Sequence, residues 1–127
     1  SYRSDAGAAI ELSVTTSVIS ALIGPGGDPR LLSVTAAIPA GNSGLPLVDL
    51  GGIIVGMAMA RTKAMKISAS PPGVPPGASF ALSAKVLKRF LDRQGVVYET
   101  RNVGAILTPG EAAQRARSAT VLVECRN

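Results

Sequence analysis

The hydrophobic pattern of the first eighty residues predicts short strands rather than helices. Its apolar runs are rich in β-branched residues, and glycine or proline interrupts them at short intervals, which is typical of strands joined by tight turns. The Gly/Pro-rich segment 24–29 should join the first two strands as a hairpin. The predicted strands are residues 10–23, 31–38, 47–50, 53–61 and 78–82.

Helical spacing appears only after residue 82. Ser83 is a suitable N-cap for a helix that runs to Gln94, and Gly95 is a suitable stop. One apolar face of this helix is expected to be buried, because its members recur at helical spacing. These members are Val86, Leu87, Phe90 and Leu91.

A second helix is predicted near the end of the chain. Thr108 and Glu111 have the spacing of a capping box, and Pro109 occupies the first helical position. This helix should end near Arg117. Residues 96–98 are expected to be extended, and residues 119–125 to form a final strand.

The composition indicates one folded domain. The chain has 127 residues, of which 46% are hydrophobic and 17% charged, so disorder is not expected. No apolar run approaches the roughly 18 residues that a membrane span needs. We also expect no signal peptide within these residues, because no basic start precedes an apolar run.

The net charge of +5 raises the question of nucleic-acid binding. Aromatic residues make up only 3% of the chain and tryptophan is absent, so platforms for base stacking are scarce. Several cations fall on one helical segment and are expected to solvate its outer face: Lys85, Lys88, Arg89 and Arg93. Nucleic acid is therefore not a predicted partner.

The chain has no histidine and one cysteine, Cys125. Catalysis through an imidazole is excluded unless another polypeptide supplies the ring. His-ligated metals and Cys-rich zinc sites are excluded too, and we predict no metal and no cofactor. Cys125 is expected to be a buried strand residue; the alternative is a disulfide to a cysteine outside this chain.

The segment Pro39-Ala40-Gly41-Asn42-Ser43-Gly44-Leu45-Pro46-Leu47 is the candidate for chemistry. A nucleophilic serine needs an exposed hydroxyl and close backbone approach to a carbonyl, and flanking glycines permit both. The amides of Gly41 and Ser43 could converge on a developing oxyanion, which is worth several kcal/mol in such sites. By spacing alone, an ordinary Gly/Asn/Ser turn is the favoured interpretation.

The wider sequence resembles the nucleophile loop of trypsin-like serine peptidases, in particular the bacterial group with HtrA-like spacing. The resemblance covers about residues 9–98, because four flanking segments also match that family in order. Residues 99–127 resemble an extension found in some alpha-proteobacterial members. The matching segments are residues 17–22, 32–38, 52–57 and 79–83.

This resemblance implies a mainly β fold. Residues 1–98 would form an antiparallel six-stranded β-barrel, the second of the family's two, with a closing helix at about 83–94. Residues 99–127 would add a short helix–strand tail. Ser43 would be the nucleophile, with the amides of Gly41 and Ser43 as the oxyanion hole. The catalytic His and Asp would come from an N-terminal barrel outside this chain.

The resemblance also implies a polypeptide substrate. Ala37, Met59 and Ala78 would line the specificity pocket, so uncharged, aliphatic side chains are expected at the cleavage point. The strand formed by Ala58, Met59, Ala60 and Arg61 would pair with the substrate backbone. The family is mostly exported, which implies a periplasmic or secreted protein.

Two residues depart from the family pattern. Leu45 replaces the usual second glycine after the serine, where a Cβ could shift the loop, and Ser17 stands where glycine is usual. The alternative function is therefore an inactive pseudoprotease or peptide-binding module. A lone barrel should expose apolar surface, through which it could form a homodimer.

Overall fold

The computed structural model describes residues 13–39, 41–59, 79–101 and 105–121, together with residues 123 and 125. The fold is mainly β, as predicted. Its strands are β1 (Ile19–Ala21), β2 (Leu31–Val34), β3 (Pro46–Val48), β4 (Ile54–Met59) and β5 (Ser79–Ser83). Its helices are α1 (Ala84–Arg93) and α2 (Pro109–Ser118), with a 3-10 turn at Pro25–Gly27.

The strands form one antiparallel sheet in the order β1-β2-β5-β4-β3. β5 lies between β2 and β4, with Phe80 opposite Ser33 on one side and Leu82 opposite Met57 on the other. The predicted hairpin β1–β2 forms, and β3 and β4 pair as a second hairpin. β5, the last of the described strands along the chain, therefore lies at the centre of the sheet and joins the two hairpins.

The predicted six-stranded barrel is not confirmed, because the described residues form five strands in a sheet that is not closed. β1 and β3 are its edges, with three residues each and an irregular register. The described lead-in to β1 does not continue the ladder regularly, since the amide of Val18 donates to the side chain of Thr35 at 3.1 Å. Edge strands this short offer few groups for closure.

The core lies along β2, β5 and the second half of β4. Ser33 is fully buried there, and its hydroxyl donates to the carbonyl of Ile23 at 2.7 Å. Phe80 packs against Ala21 and Ile23. The buried apolar residues of the described chain are Leu31, Leu32, Val34, Ala58, Phe80, Ala81 and Ala112.

The predicted turn at 24–29 is present and carries an exposed ion pair. The guanidinium of Arg30 lies 2.8 Å from the carboxylate of Asp28. Hydrogen bonds from Arg30 lower the pKa of Asp28 from 3.8 to about 2. Gly26 and Gly27 provide the positive φ angles of this turn.

α1 begins and ends close to its predicted bounds, but its predicted apolar face is not fully buried. Val86, Leu87 and Leu91 are half-buried, and Phe90 is exposed. No residue of α1 is buried. The helix packs on the sheet mainly at β4 and β5, and Phe90 on one side of its apolar face remains in water.

The predicted final strand at residues 119–125 is wrong for the part that the structure describes, because none of the described residues after α2 lies in a strand. Val121 and Val123 are exposed, and so is Cys125, which was expected to be buried. α2 itself packs on β3 and buries Ala112. Hydrophobic composition suggested the strand, but the described sheet provides no neighbour with which these residues pair.

The two helix starts should respond differently to alanine. Thr108 Oγ1 accepts a hydrogen bond from the amide of Glu111 at 3.2 Å, so Thr108→Ala should destabilise the protein by about 1 kcal/mol. Ser83 makes no such bond, and its Oγ is buried without a partner, so Ser83→Ala should be neutral or stabilising. Urea denaturation of both variants tests this contrast; equal losses of stability would contradict it.

Candidate active site

Ser43 lies at an exposed turn between β2 and β3. We call residues 41–45 the Ser43 loop. The amide of Asn42 donates to the carbonyl of Pro39 at 3.1 Å, and that of Leu45 to the carbonyl of Asn42 at 3.4 Å. Gly41 and Gly44 have φ angles of +92° and +89°, which side chains with a Cβ rarely adopt. The two glycines thus allow the chain to reverse on both sides of the serine.

The loop is fixed to β4 by a pair of short backbone hydrogen bonds. The amide of Gly44 donates to the carbonyl of Ala58, and the amide of Ala58 donates to the carbonyl of Leu45, both at 2.8 Å. The segment entering the loop is also held, because the amide of Ile38 donates to Ser79 Oγ at 3.1 Å. Ser79 is buried on β5. The central strands therefore position the loop that carries Ser43.

Leu45 fits this loop without backbone strain. Among the described residues, only glycines have positive φ angles, so the backbone at Leu45 does not require a glycine. Leu45 is half-buried and lines an open cavity. The departure from the family pattern at this position is accommodated by the fold.

Ser17 has a structural role that sequence reasoning missed. Its Oγ accepts from the amide of Ala36 at 2.8 Å and lies 3.1 Å from Thr35 Oγ1. The carbonyl of Val18 also accepts from the amide of Thr35 at 3.0 Å. The side chain of Ser17 thus ties the entry to β1 to the end of β2. A strand-rich sequence full of Ser and Thr gives no signal for such a pairing.

The predicted substrate-binding residues have different environments. Ala37 is exposed and Met59 half-buried. Ala58 is buried, and both of its backbone groups bond to the Ser43 loop. The remaining predicted residues, Ala60, Arg61 and Ala78, lie outside the described residues. Ala58 therefore holds the loop in place.

A cavity of about 550 Å³ lies between the two edge strands and α2. Ile19 of β1, Leu47 of β3 and Ala112 of α2 line it, as do Asn42 and Leu45 of the loop. Ser43 does not line this cavity. We therefore do not propose that the cavity holds the reacting group of a substrate. Both edge strands of the sheet face this common space, which α2 borders.

No catalytic base can come from a histidine of this chain, since it has none. Within the described ranges, Cys, Asp and Glu side chains form no group of three that could hold a metal ion. The described helices are also too short and too polar to cross a bilayer. The described part of the chain therefore holds Ser43 in a loop fixed by hydrogen bonds, and it contains no cluster of metal-ligating side chains.

A left-handed glycine and a helical one provide a matched test of the loop geometry. Gly44→Ala should destabilise the protein by about 1–3 kcal/mol, because its φ of +89° strains any residue with a Cβ. Gly110→Ala in α2 should instead stabilise the protein by about 0.4–1 kcal/mol, since the φ angle of Gly110 is not positive. The added Cβ would also lie 4.0 Å from Thr108 Oγ1, which is an ordinary contact. Thermal and urea unfolding measure both; a stabilised Gly44→Ala variant would contradict the loop conformation.

Comparison with known proteins gives two curated relatives. The chain is 33% identical over 107 residues to the uncharacterized protein y4bJ of Sinorhizobium fredii, covering 84% of this chain and 17% of that protein. It is 36% identical over 95 residues to the mitochondrial serine protease HTRA2 of Drosophila ananassae, covering 75% of this chain and 19% of that protein. No family model matches the chain, and no solved structure matches it significantly.

The chain thus spans less than a fifth of the length of either relative. The second similarity is partial and weak, and it indicates a trypsin-like relationship at most. The five-stranded antiparallel sheet with two helices is a mainly β fold, which accords with that relationship without establishing a barrel.

Proposed function

We propose that this chain is the nucleophile-bearing part of a trypsin-like serine endopeptidase, with Ser43 as the nucleophile. The observation that carries the proposal is the geometry of the Ser43 loop. Ser43 is exposed between two glycines at φ of about +90°, and the following residues bond to β4. Partial similarity to a serine protease supports the same proposal.

In the proposed reaction, Ser43 Oγ attacks the carbonyl carbon of the scissile peptide bond and gives its proton to an imidazole. The C–N bond then breaks, the imidazole returns the proton to the leaving amine, and the acyl group remains as an ester on Oγ. Water hydrolyses that ester and restores the hydroxyl. The amides of Gly41 and Ser43 would donate to the oxyanion in both steps.

The imidazole and its carboxylate partner would come from an N-terminal barrel outside this chain. The absence of histidine requires a base from elsewhere. The chain's small share of its relatives' length leaves room for such a barrel. This chain alone should therefore lack peptidase activity, and the complete protein is proposed to act in the periplasm or after secretion.

The proposed substrate is a polypeptide with an uncharged, aliphatic side chain at the cleavage point. Ala37 and Met59, two of the proposed specificity residues, carry no charge, and Ala37 is exposed near the entry to the loop. Because the backbone of Ala58 is already bonded, pairing with the substrate backbone is proposed for the residues that follow it.

A second candidate is a module that binds extended peptides without cleaving them. The observation that favours it is the lack of a histidine, since an unactivated serine hydroxyl is a weak nucleophile. The loop would then present backbone groups to a bound peptide, and Ser43 would not react. The reactivity of Ser43 separates the two candidates.

The deciding experiment is labelling with a fluorophosphonate probe. The 127-residue chain and extracts containing the complete protein are treated in parallel, and the labelled peptide and its parent mass are identified. The peptidase proposal expects a label on Ser43 only in a parent heavier than 12.9 kDa. A label on this chain alone would contradict the need for an external base. No label on Ser43 in either sample would favour the binding module.

A further inference from the structure

α1 concentrates positive charge on a short stretch of surface. It carries Asp92 as its only carboxylate. The phenolic hydroxyl of Tyr98 donates to that carboxylate at 2.9 Å. Its cations are Lys85, Lys88, Arg89 and Arg93.

Beside these cations, α1 exposes an aromatic side chain. Phe90 is 61% exposed, although a residue of its kind usually contributes to a core. It lies four residues after Val86 and three before Arg93, so all three share one side of the helix. Val86 is half-buried, and Phe90 thus projects from the boundary between the sheet-facing and the charged sides.

The segment after α1 adds two exposed valines and is held in place by hydrogen bonds to the helix end. Val96 is 47% and Val97 95% exposed. The amide of Val96 donates to the carbonyl of Leu91 at 3.0 Å and that of Gly95 to the carbonyl of Asp92 at 3.2 Å, which is a Schellman motif. Gly95 has the left-handed φ of +68° that this motif needs.

We call Arg89, Phe90, Arg93, Val96 and Val97 the basic–apolar surface. Two cations and three exposed apolar side chains lie within residues 89–97, and the helix end is fixed by backbone hydrogen bonds. The large apolar side chain that α1 leaves exposed is Phe90, and an exposed aromatic side chain beside Lys and Arg is typical of surfaces that bind at the membrane interface.

We infer that the basic–apolar surface docks the protein on an anionic lipid bilayer. Charge complementarity selects this partner, because α1 has four cations against one carboxylate and the chain carries a net charge of +5. Phe90, Val96 and Val97 would enter the boundary between headgroups and acyl chains while the arginines meet lipid phosphates. The inference goes beyond the proposed peptidase and does not depend on Ser43.

The test uses the full 127-residue chain and vesicles of phosphatidylcholine, with or without phosphatidylglycerol. We expect binding to be at least about tenfold tighter on the vesicles with phosphatidylglycerol, and to weaken as salt rises. Neutralising two arginines in R89Q/R93Q should weaken it about 30-fold, since each interfacial cation contributes a factor of about five. F90S/V97S should weaken it on the order of tenfold.

Matched controls separate this surface from general stickiness. R115Q/R117Q removes two exposed cations from α2, and V121S/V123S removes two exposed valines from the tail. Both controls should bind the vesicles within about twofold of the unchanged chain, because their residues lie on α2 or after it. Circular dichroism verifies that every variant retains its fold.

Three outcomes would overturn the inference. One is equal binding, or no binding, on the two kinds of vesicle. Another is a loss of binding in the α2 control as large as that in R89Q/R93Q. The third is a concentration-dependent dimer that F90S/V97S abolishes without a change in vesicle binding, which would assign this surface to a second copy of the chain.

Discussion

Replacing Ser43 by alanine in the complete protein should lower the turnover of a peptide substrate by about 10⁴-fold or more, because no acyl-enzyme can form without the hydroxyl. The backbone amide of residue 43 remains, so the oxyanion donors proposed here are retained. The dissociation constant of an uncleaved peptide should change by less than about threefold, since the nucleophile acts only in the chemical steps. Steady-state kinetics and peptide binding measure the two effects separately.

The control for this prediction is Ser118→Ala. Ser118 is an exposed serine at the end of α2, where its hydroxyl donates to the carbonyl of Arg115 at 2.8 Å. Its replacement should leave the turnover number unchanged within about twofold, as for most surface substitutions. A Ser43→Ala enzyme that keeps its turnover would remove Ser43 from the chemistry and leave the peptide-binding alternative.

The arrangement of the loop explains why this site is testable at the level of single residues. The two hydrogen bonds between Ala58 and the loop attach the loop to β4, so the sheet determines where Ser43 lies. A substitution at Ser43 itself leaves both bonds in place. The loss expected for Ser43→Ala is therefore chemical, whereas the loss expected for Gly44→Ala is one of backbone geometry.

Local signals in the sequence were enough to predict several elements of the fold. The capping box at Thr108 predicted the start of α2, and the observed hydrogen bond to Glu111 confirms it. Gly95 predicted the end of α1, because glycine readily adopts the left-handed conformation that ends many helices, and Gly95 has that conformation. Such features depend on neighbours three to five residues apart, which a single sequence displays directly.

Features that depend on distant partners could not be predicted in the same way. The placement of β5 between β2 and β4, and the open edges at β1 and β3, depend on pairings between residues far apart in the chain. The role of Ser17 is similar, since its partner Ala36 lies 19 residues away. The tail valines fit a strand by propensity, but strand formation needs a paired neighbour.

For the candidate site, the sequence indicated the conformation of the glycines beside Ser43 but not the contacts that hold the loop. The motif around Ser43 indicated two flexible glycines, and both have left-handed φ angles. The hydrogen bonds of Ala58 to the loop and of Ser79 to Ile38 had no sequence signal, because alanine and serine are ordinary strand residues. The importance of a buried small residue becomes visible only with its neighbours.

The chain's two phenylalanines should differ strongly in their contribution to stability. Phe80 is 5% exposed and packs against Ala21 and Ile23, whereas Phe90 is 61% exposed. Phe80→Ala should therefore lower the free energy of unfolding by about 3–5 kcal/mol, through lost burial and the cavity left behind. That is a large part of the roughly 5–15 kcal/mol available to a domain.

Phe90→Ala is the matched control, because it removes the same atoms from an exposed site. Its effect on unfolding should stay within about 0.5 kcal/mol, and the higher helix propensity of alanine offsets part of any loss. Urea denaturation followed by circular dichroism compares the two variants, and equal losses would contradict the burial difference. A stable Phe90→Ala variant that binds anionic vesicles several-fold more weakly would support the docking role of Phe90, whereas the role of Phe80 is in the core.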